Sequence, residues 1–152
     1  MSAIQVQEPA GRQPRKGACV RVWGVLFGLG LFNVIRGTFH WLSPDSGAGS
    51  VAGFDLSSNG AAITYLLAVA GVAQLTFGLV DIFVAWRERH AVALMLALES
   101  LKSVMLLLTD YWIKPPGVPI PGRYAHWAVL IVSLLTLIVC TPTRDHAYGA
   151  RR

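Results

Sequence analysis

Four long runs of apolar residues alternate with short polar segments along the chain. The runs cover residues 22–42, 61–86, 91–113 and 124–141. A helix needs roughly 20 apolar residues to cross the hydrocarbon core of a bilayer, and each run reaches or approaches that length. A soluble helix sets a charged face opposite its apolar one, but residues 22–32 and 65–80 carry no charge on any face. In water such helices would expose large apolar patches. The pattern predicts an all-α integral membrane protein, a four-helix bundle running up-down-up-down. Its parts are a polar tail over residues 1–17, a transmembrane domain over 18–141 with spans at about 18–42, 61–86, 91–113 and 124–141, and a basic tail over 142–152.

Polar positions inside the runs follow the helical period of about 100° per residue. In the third span Glu99, Lys102, Ser103, Leu106, Thr109 and Asp110 share one face, with Glu99 and Lys102 spaced to pair along the helix. In the second, Thr64, Gly71, Gln74, Gly78, Asp81 and Ala85 share a face, its glycines admitting a close neighbour. Asn33, Arg36 and His40 share a face of the first span, where Gly24 and Gly28 form a small-xxx-small step on another; His126, Ser133, Thr136 and Cys140 line one side of the fourth. Turning these faces inward gives a buried polar cluster of Arg36, His40, Gln74, Asp81, Glu99, Lys102, Asp110 and His126. Estimated depths make Arg36 and Asp110 partners near one end of the bundle, with Gln74 and Lys102 below them. Charged side chains at a helix centre cost about 2.5–3.5 kcal/mol each on insertion scales. The cluster is therefore either a set of compensated pairs fixing helix register or the lining of a cavity or proton path.

Composition agrees with a membrane location. Of 152 residues 54% are hydrophobic and only 14% charged, against roughly a quarter charged in soluble domains. The net charge of +5 does not indicate nucleic acid, because most basic residues sit at or beyond the span ends. Of the 13 Lys and Arg, Arg12, Arg15, Lys16, Arg21, Arg87, Arg89, Arg144, Arg151 and Arg152 fall on one side. Lys114 and Arg123 fall on the other, and Arg36 and Lys102 lie within spans. Cytoplasmic loops carry the Lys/Arg excess, so both termini and the turn near residue 88 are expected on the cytoplasmic side of a cell (inner or plasma) membrane. The first apolar segment is too long for the ~7–15-residue core of a signal peptide and reads as a retained span. Trp23, Trp41, Trp86, Trp112 and Trp127 all stand near span ends, where amphipathic rings settle. Cys19 and Cys140 face the reducing cytoplasm in this topology, which argues against a disulfide.

The connections differ in kind. Residues 43–59 form a glycine-rich loop, compact or folded as a lid over the bundle mouth, and Ser57, Ser58 and Asn59 suit the N-cap of the second span. Its glycines at 47, 49 and 53 lack the strand–turn–helix setting of a dinucleotide site. Residues 114–123 carry Pro115, Pro116, Pro119 and Pro121 and predict a stiff strap. The short turn after residue 86 predicts a tight hairpin between the second and third spans. His40, Asp110 and His126 come from three helices without ligand spacing, so no metal site is expected, and no nucleophile, Walker or zinc-protease motif occurs.

The stretches Asn33-Val-Ile-Arg36-Gly37 and Gly71-Val-Ala-Gln74-Leu-Thr-Phe-Gly78 resemble those of small bacterial DoxX-like membrane proteins, over about residues 20–141. The resemblance implies a four-helix membrane scaffold, with quinone-dependent redox chemistry in some members. It carries over no catalytic residue and the chain names no cofactor. The expected function is a non-enzymatic accessory or ligand-binding bundle; the alternative is a quinone-linked oxidoreductase subunit or a small proton-coupled transporter. Expected partners are the lipid bilayer, a lipid or quinone ligand, and a membrane protein partner or second copy of the chain.

Overall fold

The computed structural model describes residues 16–117 and 120–140, with side chains over 22–117 and 120–139. Both polar tails, the thiols of Cys19 and Cys140, the side chains of Lys16 and Arg21, and Pro119 lie outside the described residues. Four helices carry the fold: α1 (Lys16–Leu42), α2 (Gly60–Arg87), α3 (Val92–Leu108) and α4 (Gly122–Cys140). A 3₁₀ turn, Arg89–Ala91, joins α2 to α3, and α3 continues as a π-type turn over Thr109–Ile113. No strand occurs among the described residues. Four segments are long and apolar enough to cross a membrane: Val22–Leu42, Gly60–Arg87, Arg89–Ile113 and Gly122–Val139. Ile35, Leu66, Leu94 and Ile138 are each more than 60% exposed on the perimeter, as lipid-facing side chains would be. These features are those of a multi-pass membrane protein.

Helix ends correct one expectation and add one feature. Asn59 stands at the N-cap of α2, but its backbone is left-handed (φ 60°) and its side chain makes no capping bond. Its carbonyl instead accepts the amides of Ala62 and Ile63 at 3.0 and 3.1 Å. The third span also does not end as a plain α-helix. Lys114 N–H bonds the Thr109 carbonyl at 2.9 Å, five residues back, and Pro115 and Pro116 then prevent continuation.

Packing is organised by two helix pairs. α1 packs most extensively on α2, and α3 on α4. The α1–α2 contact is backbone to backbone, with Gly30 facing Gly78 and Gly37 facing Gly71, a register that runs the helices antiparallel. Gly24 and Gly28 meet no neighbour within 4 Å, so the small-residue step expected there lies outside the contact. α2 and α3, expected as a tight hairpin, scarcely touch despite their short connection. The glycine face of α2 is occupied by α1, which leaves its flank toward α3 open. At the end carrying the 3₁₀ turn, Val22, Leu26, Val84, Ala85, Val92 and Leu96 form a buried apolar cluster. It closes that end of the bundle. The middle and the end carrying the 43–59 loop are polar inside.

The inward faces are close to those expected, with shifts. α3 buries Val92, Leu96, Glu99, Ser100, Ser103 and Leu107. Lys102 and Leu106 therefore lie at the edge of the buried stripe rather than its centre. α4 buries Leu130 and Ser133, while the Thr136 hydroxyl turns back to the Val132 carbonyl of its own helix.

Candidate functional site

One cavity of about 410 Å³ draws its lining from all four helices. Arg36, His40, Gln74, Glu99, Lys102 and His126 line it, so six of the eight expected cluster residues share one space. Phe32, Leu67, Ala70, Ala73, Phe77, Leu106 and Val129 give it apolar walls. A second hollow of about 380 Å³ follows the α3 surface past Met95, Leu98, Leu101 and Met105. The two share Phe77, Glu99, Lys102 and Leu106. The Lys102 ammonium sits 5.8 Å from the centre of the Phe77 ring, so this cation–ring pair is the partition between the spaces. The partition lies between α2 and α3, which make few close contacts beyond their shared apolar cluster.

Asn33, Gln74, Glu99 and Lys102, all in the cavity wall, join with Asp81 in a network that crosses three helices. Asn33 Nδ2 donates to Asp81 Oδ2 at 3.4 Å and to Glu99 Oε1 at 3.5 Å, and Asn33 Oδ1 accepts from Gln74 Nε2 at 3.3 Å. Lys102 Nζ pairs with Glu99 Oε1 at 2.5 Å. Asp81 is fully buried and Glu99 3% exposed. Asp81 Oδ1 and Glu99 Oε2 are buried without a hydrogen-bond partner. Two carboxyl groups thus converge on one amide and one ammonium. Asn33 holds the network together, although its sequence signal was only a polar residue one turn before Arg36 on the same face.

Toward the loop end a second group forms, and it differs from the expected arrangement. Arg36 and Asp110 do not pair: the ion pairs among the described residues are Glu88–His90, Glu99–Lys102 and Asp110–His126. Asp110 Oδ2 lies 3.4 Å from His126 Nδ1 instead. The π-type turn presents the Asp110 carbonyl to Arg123 Nη2 at 3.3 Å, and the Arg123 guanidinium stacks 4.4 Å from the Tyr111 ring centre. Arg36 reaches across to α4, where its Nη2 stands 2.8 Å from where a Gly122 Cβ would be. Depth along the helix axis does not by itself choose among neighbours on different helices.

His40 ties Arg36 to the 43–59 loop. His40 Nδ1 lies 2.7 Å from the Ser46 carbonyl. A carbonyl only accepts, so Nδ1 carries the hydrogen. Nε2 of the neutral ring then accepts Arg36 Nε–H, at 3.3 Å. Ser46 adopts a left-handed backbone (φ 51°) and is 1% exposed, a strained state for a non-glycine residue. Asp45 secures it, accepting from Ser50 N–H (2.7 Å), Gly47 N–H (2.9 Å), Ser50 Oγ (3.1 Å) and Ser43 Oγ (3.3 Å). These bonds, the Ser50 amide first, hold the Asp45 carboxyl well below the ordinary carboxylate range. The loop is thus compact and docked on α1.

Among the described residues no group of three His, Cys, Asp or Glu side chains is placed to hold a metal ion. In comparisons with known proteins, no family model, no curated protein and no solved structure matches the chain.

Proposed function

We propose that this chain is a membrane-embedded binding protein for a small amphipathic molecule, a lipid or quinone, that reaches its cavity sideways between α2 and α3. The observation that supports this is the cavity itself. Polar groups from four helices converge beside apolar walls, next to a stretch where α2 and α3 make few close contacts. Ligand sites are characteristically apolar hollows with a few convergent polar groups. The adjoining hollow along α3, walled by Met95, Leu98, Leu101 and Met105, suits an apolar tail, and Phe77 and Lys102 stand at the passage between the two. The four spans run up-down-up-down with both termini and the turn at Glu88 in the cytoplasm, as the distribution of basic residues requires. The likeness to DoxX-like proteins rests on Asn33–Gly37 and Gly71–Gly78, stretches that lie at the α1–α2 contact, so it concerns the scaffold.

Purification into phosphatidylcholine nanodiscs followed by native mass spectrometry tests the binding reading. An amphipathic molecule should stay bound to the wild type, and Ala73→Trp, which fills the cavity, should release it. No bound molecule, or equal occupancy in Ala73→Trp, overturns the proposal. Reporter fusions at Ser50 and Gly117 test the orientation, and a cytoplasmic signal at either position contradicts it.

The Asp81–Glu99 pair favours a second reading, proton-coupled transport. Buried carboxyl groups in spans mark proton relays, and these two have unsatisfied oxygens. Absence of proton flux in liposomes would remove that reading, and flux that survives unchanged in folded Glu99→Gln protein would take Glu99 out of the path.

A further inference from the structure

We propose that the polar end of the cavity binds an anionic oxygen group, a carboxylate or phosphate on an apolar tail, with Arg36 as its charge partner. This rests on the binding reading above and names the chemistry of the ligand's head. No carboxylate lies within ion-pair reach of Arg36 among the described residues. Its single hydrogen bond leaves through Nε to His40, so both Nη groups keep donors for the cavity that Arg36 lines. Two parallel Nη–H groups match an oxyanion in bidentate geometry.

The surroundings add to the positive excess. Arg36 Nη2 stands against the first residue of α4, and a helix N-terminus carries partial positive charge. Lys102 also lines the cavity, but Glu99 compensates it; Asp110 is engaged by His126. Among the cavity's own side chains the Lys102 ammonium is thus paired, and the Arg36 guanidinium is the cation without a carboxylate partner; Asp81, set off by the neutral Asn33 amide, is not among the residues lining the cavity. A cation held at this depth without a counter-ion is costly, and an anionic ligand supplies the missing charge. The Ser46–His40 chain of hydrogen bonds positions the guanidinium by fixing Nε.

The test compares three probes on the purified protein in nanodiscs: dodecyl phosphate, dodecanol and inorganic phosphate, with affinity read from tryptophan fluorescence. Wild type should bind dodecyl phosphate more tightly than dodecanol, by roughly 10- to 100-fold, the size of a hydrogen bond to a charged group. Arg36→Gln should abolish that preference while dodecanol binding persists. Equal affinity of the wild type for the two amphiphiles overturns the anion site without recourse to any variant. So does an unchanged preference in Arg36→Gln. Binding of both amphiphiles that ignores Ala73→Trp overturns the cavity reading instead. Inorganic phosphate bound as tightly as dodecyl phosphate, and lost in Arg36→Gln, keeps the anion site but places its ligand among tail-free anions.

Discussion

Gly30 and Gly78 stand backbone to backbone. A methyl group on Gly30 would come within 2.8 Å of the Gly78 carbonyl oxygen, and one on Gly78 within 2.6 Å of the Gly30 carbonyl oxygen. Backbone atoms cannot move aside as a flexible side chain can. Gly30→Ala and Gly78→Ala should each destabilise the protein by about 1–3 kcal/mol, the usual range for overpacking. Gly28→Ala meets nothing within 4 Å and should be neutral or stabilising by up to about 1 kcal/mol through helix propensity. Unfolding titrations in mixed micelles measure all three. Equal effects at positions 28 and 30 would mean that the α1–α2 contact is not the one described.

The same glycines show what the chain reveals before its structure is known. The spans were legible because a bilayer tolerates only long apolar helices, and the polar faces were legible because a helix has a fixed period. The choice between two glycine steps on α1 was not. Gly24 and Gly28 form the familiar four-residue step, yet the contact uses Gly30 and Gly37. The available signal was their seven-residue spacing, repeated in Gly71 and Gly78 across the loop. Partner choice at Arg36 was illegible for a related reason. Sequence gives depth along the axis and direction around it, but not the lateral distance to each neighbouring helix or the wider turn that reorients Asp110.

Asn33 should matter more to stability than its neutral side chain suggests. It donates to Asp81 and Glu99 and accepts from Gln74. Asn33→Leu strands Asp81 Oδ2 and Gln74 Nε2, while Glu99 Oε1 keeps Lys102, and a buried polar group left unsatisfied costs about 1–3 kcal/mol. Asp81→Asn should be better tolerated than Glu99→Gln. Two carboxyl groups here face one ammonium, so removing the Asp81 charge balances the count, whereas removing the Glu99 charge leaves Lys102 without its partner. Thermal unfolding in detergent gives the order, and a larger loss in Asp81→Asn than in Glu99→Gln would refute the charge balance.

Asp45 makes the loop's docking dependent on acid. Its carboxyl is held below the ordinary carboxylate range in the folded protein. A depressed folded value contributes stability that is complete above the unfolded value, about 3.9, and declines as pH falls from there toward the folded value. Loop order should therefore be constant from neutral pH down to about pH 5 and weaken below it. In Asp45→Asn it should be weaker at neutral pH and flat through the same range. Hydrogen exchange at the Gly47 and Ser50 amides reports this directly, and an Asp45→Asn profile identical to wild type at pH 7 would exclude the mechanism.

Asp110 and Arg36 offer the sharpest test of the loop end, because equal depth suggests one partner and geometry another. Asp110 meets His126 at 3.4 Å, and Arg36 donates to His40 at 3.3 Å. Residues in direct contact show coupling of about 0.5–3 kcal/mol in double-mutant cycles, while separated ones add to within about 0.3–0.5 kcal/mol. The Asp110→Asn/His126→Gln cycle should therefore show the larger coupling, and Arg36→Gln/Asp110→Asn the smaller. The Arg36→Gln/His40→Ala cycle adds a control, since those two side chains touch within one helix turn. If Arg36 and Asp110 couple more strongly than Asp110 and His126, the guanidinium has its counter-ion in the protein. The Arg36 Nη groups would then be engaged within the protein, and an anionic ligand would lose its charge partner.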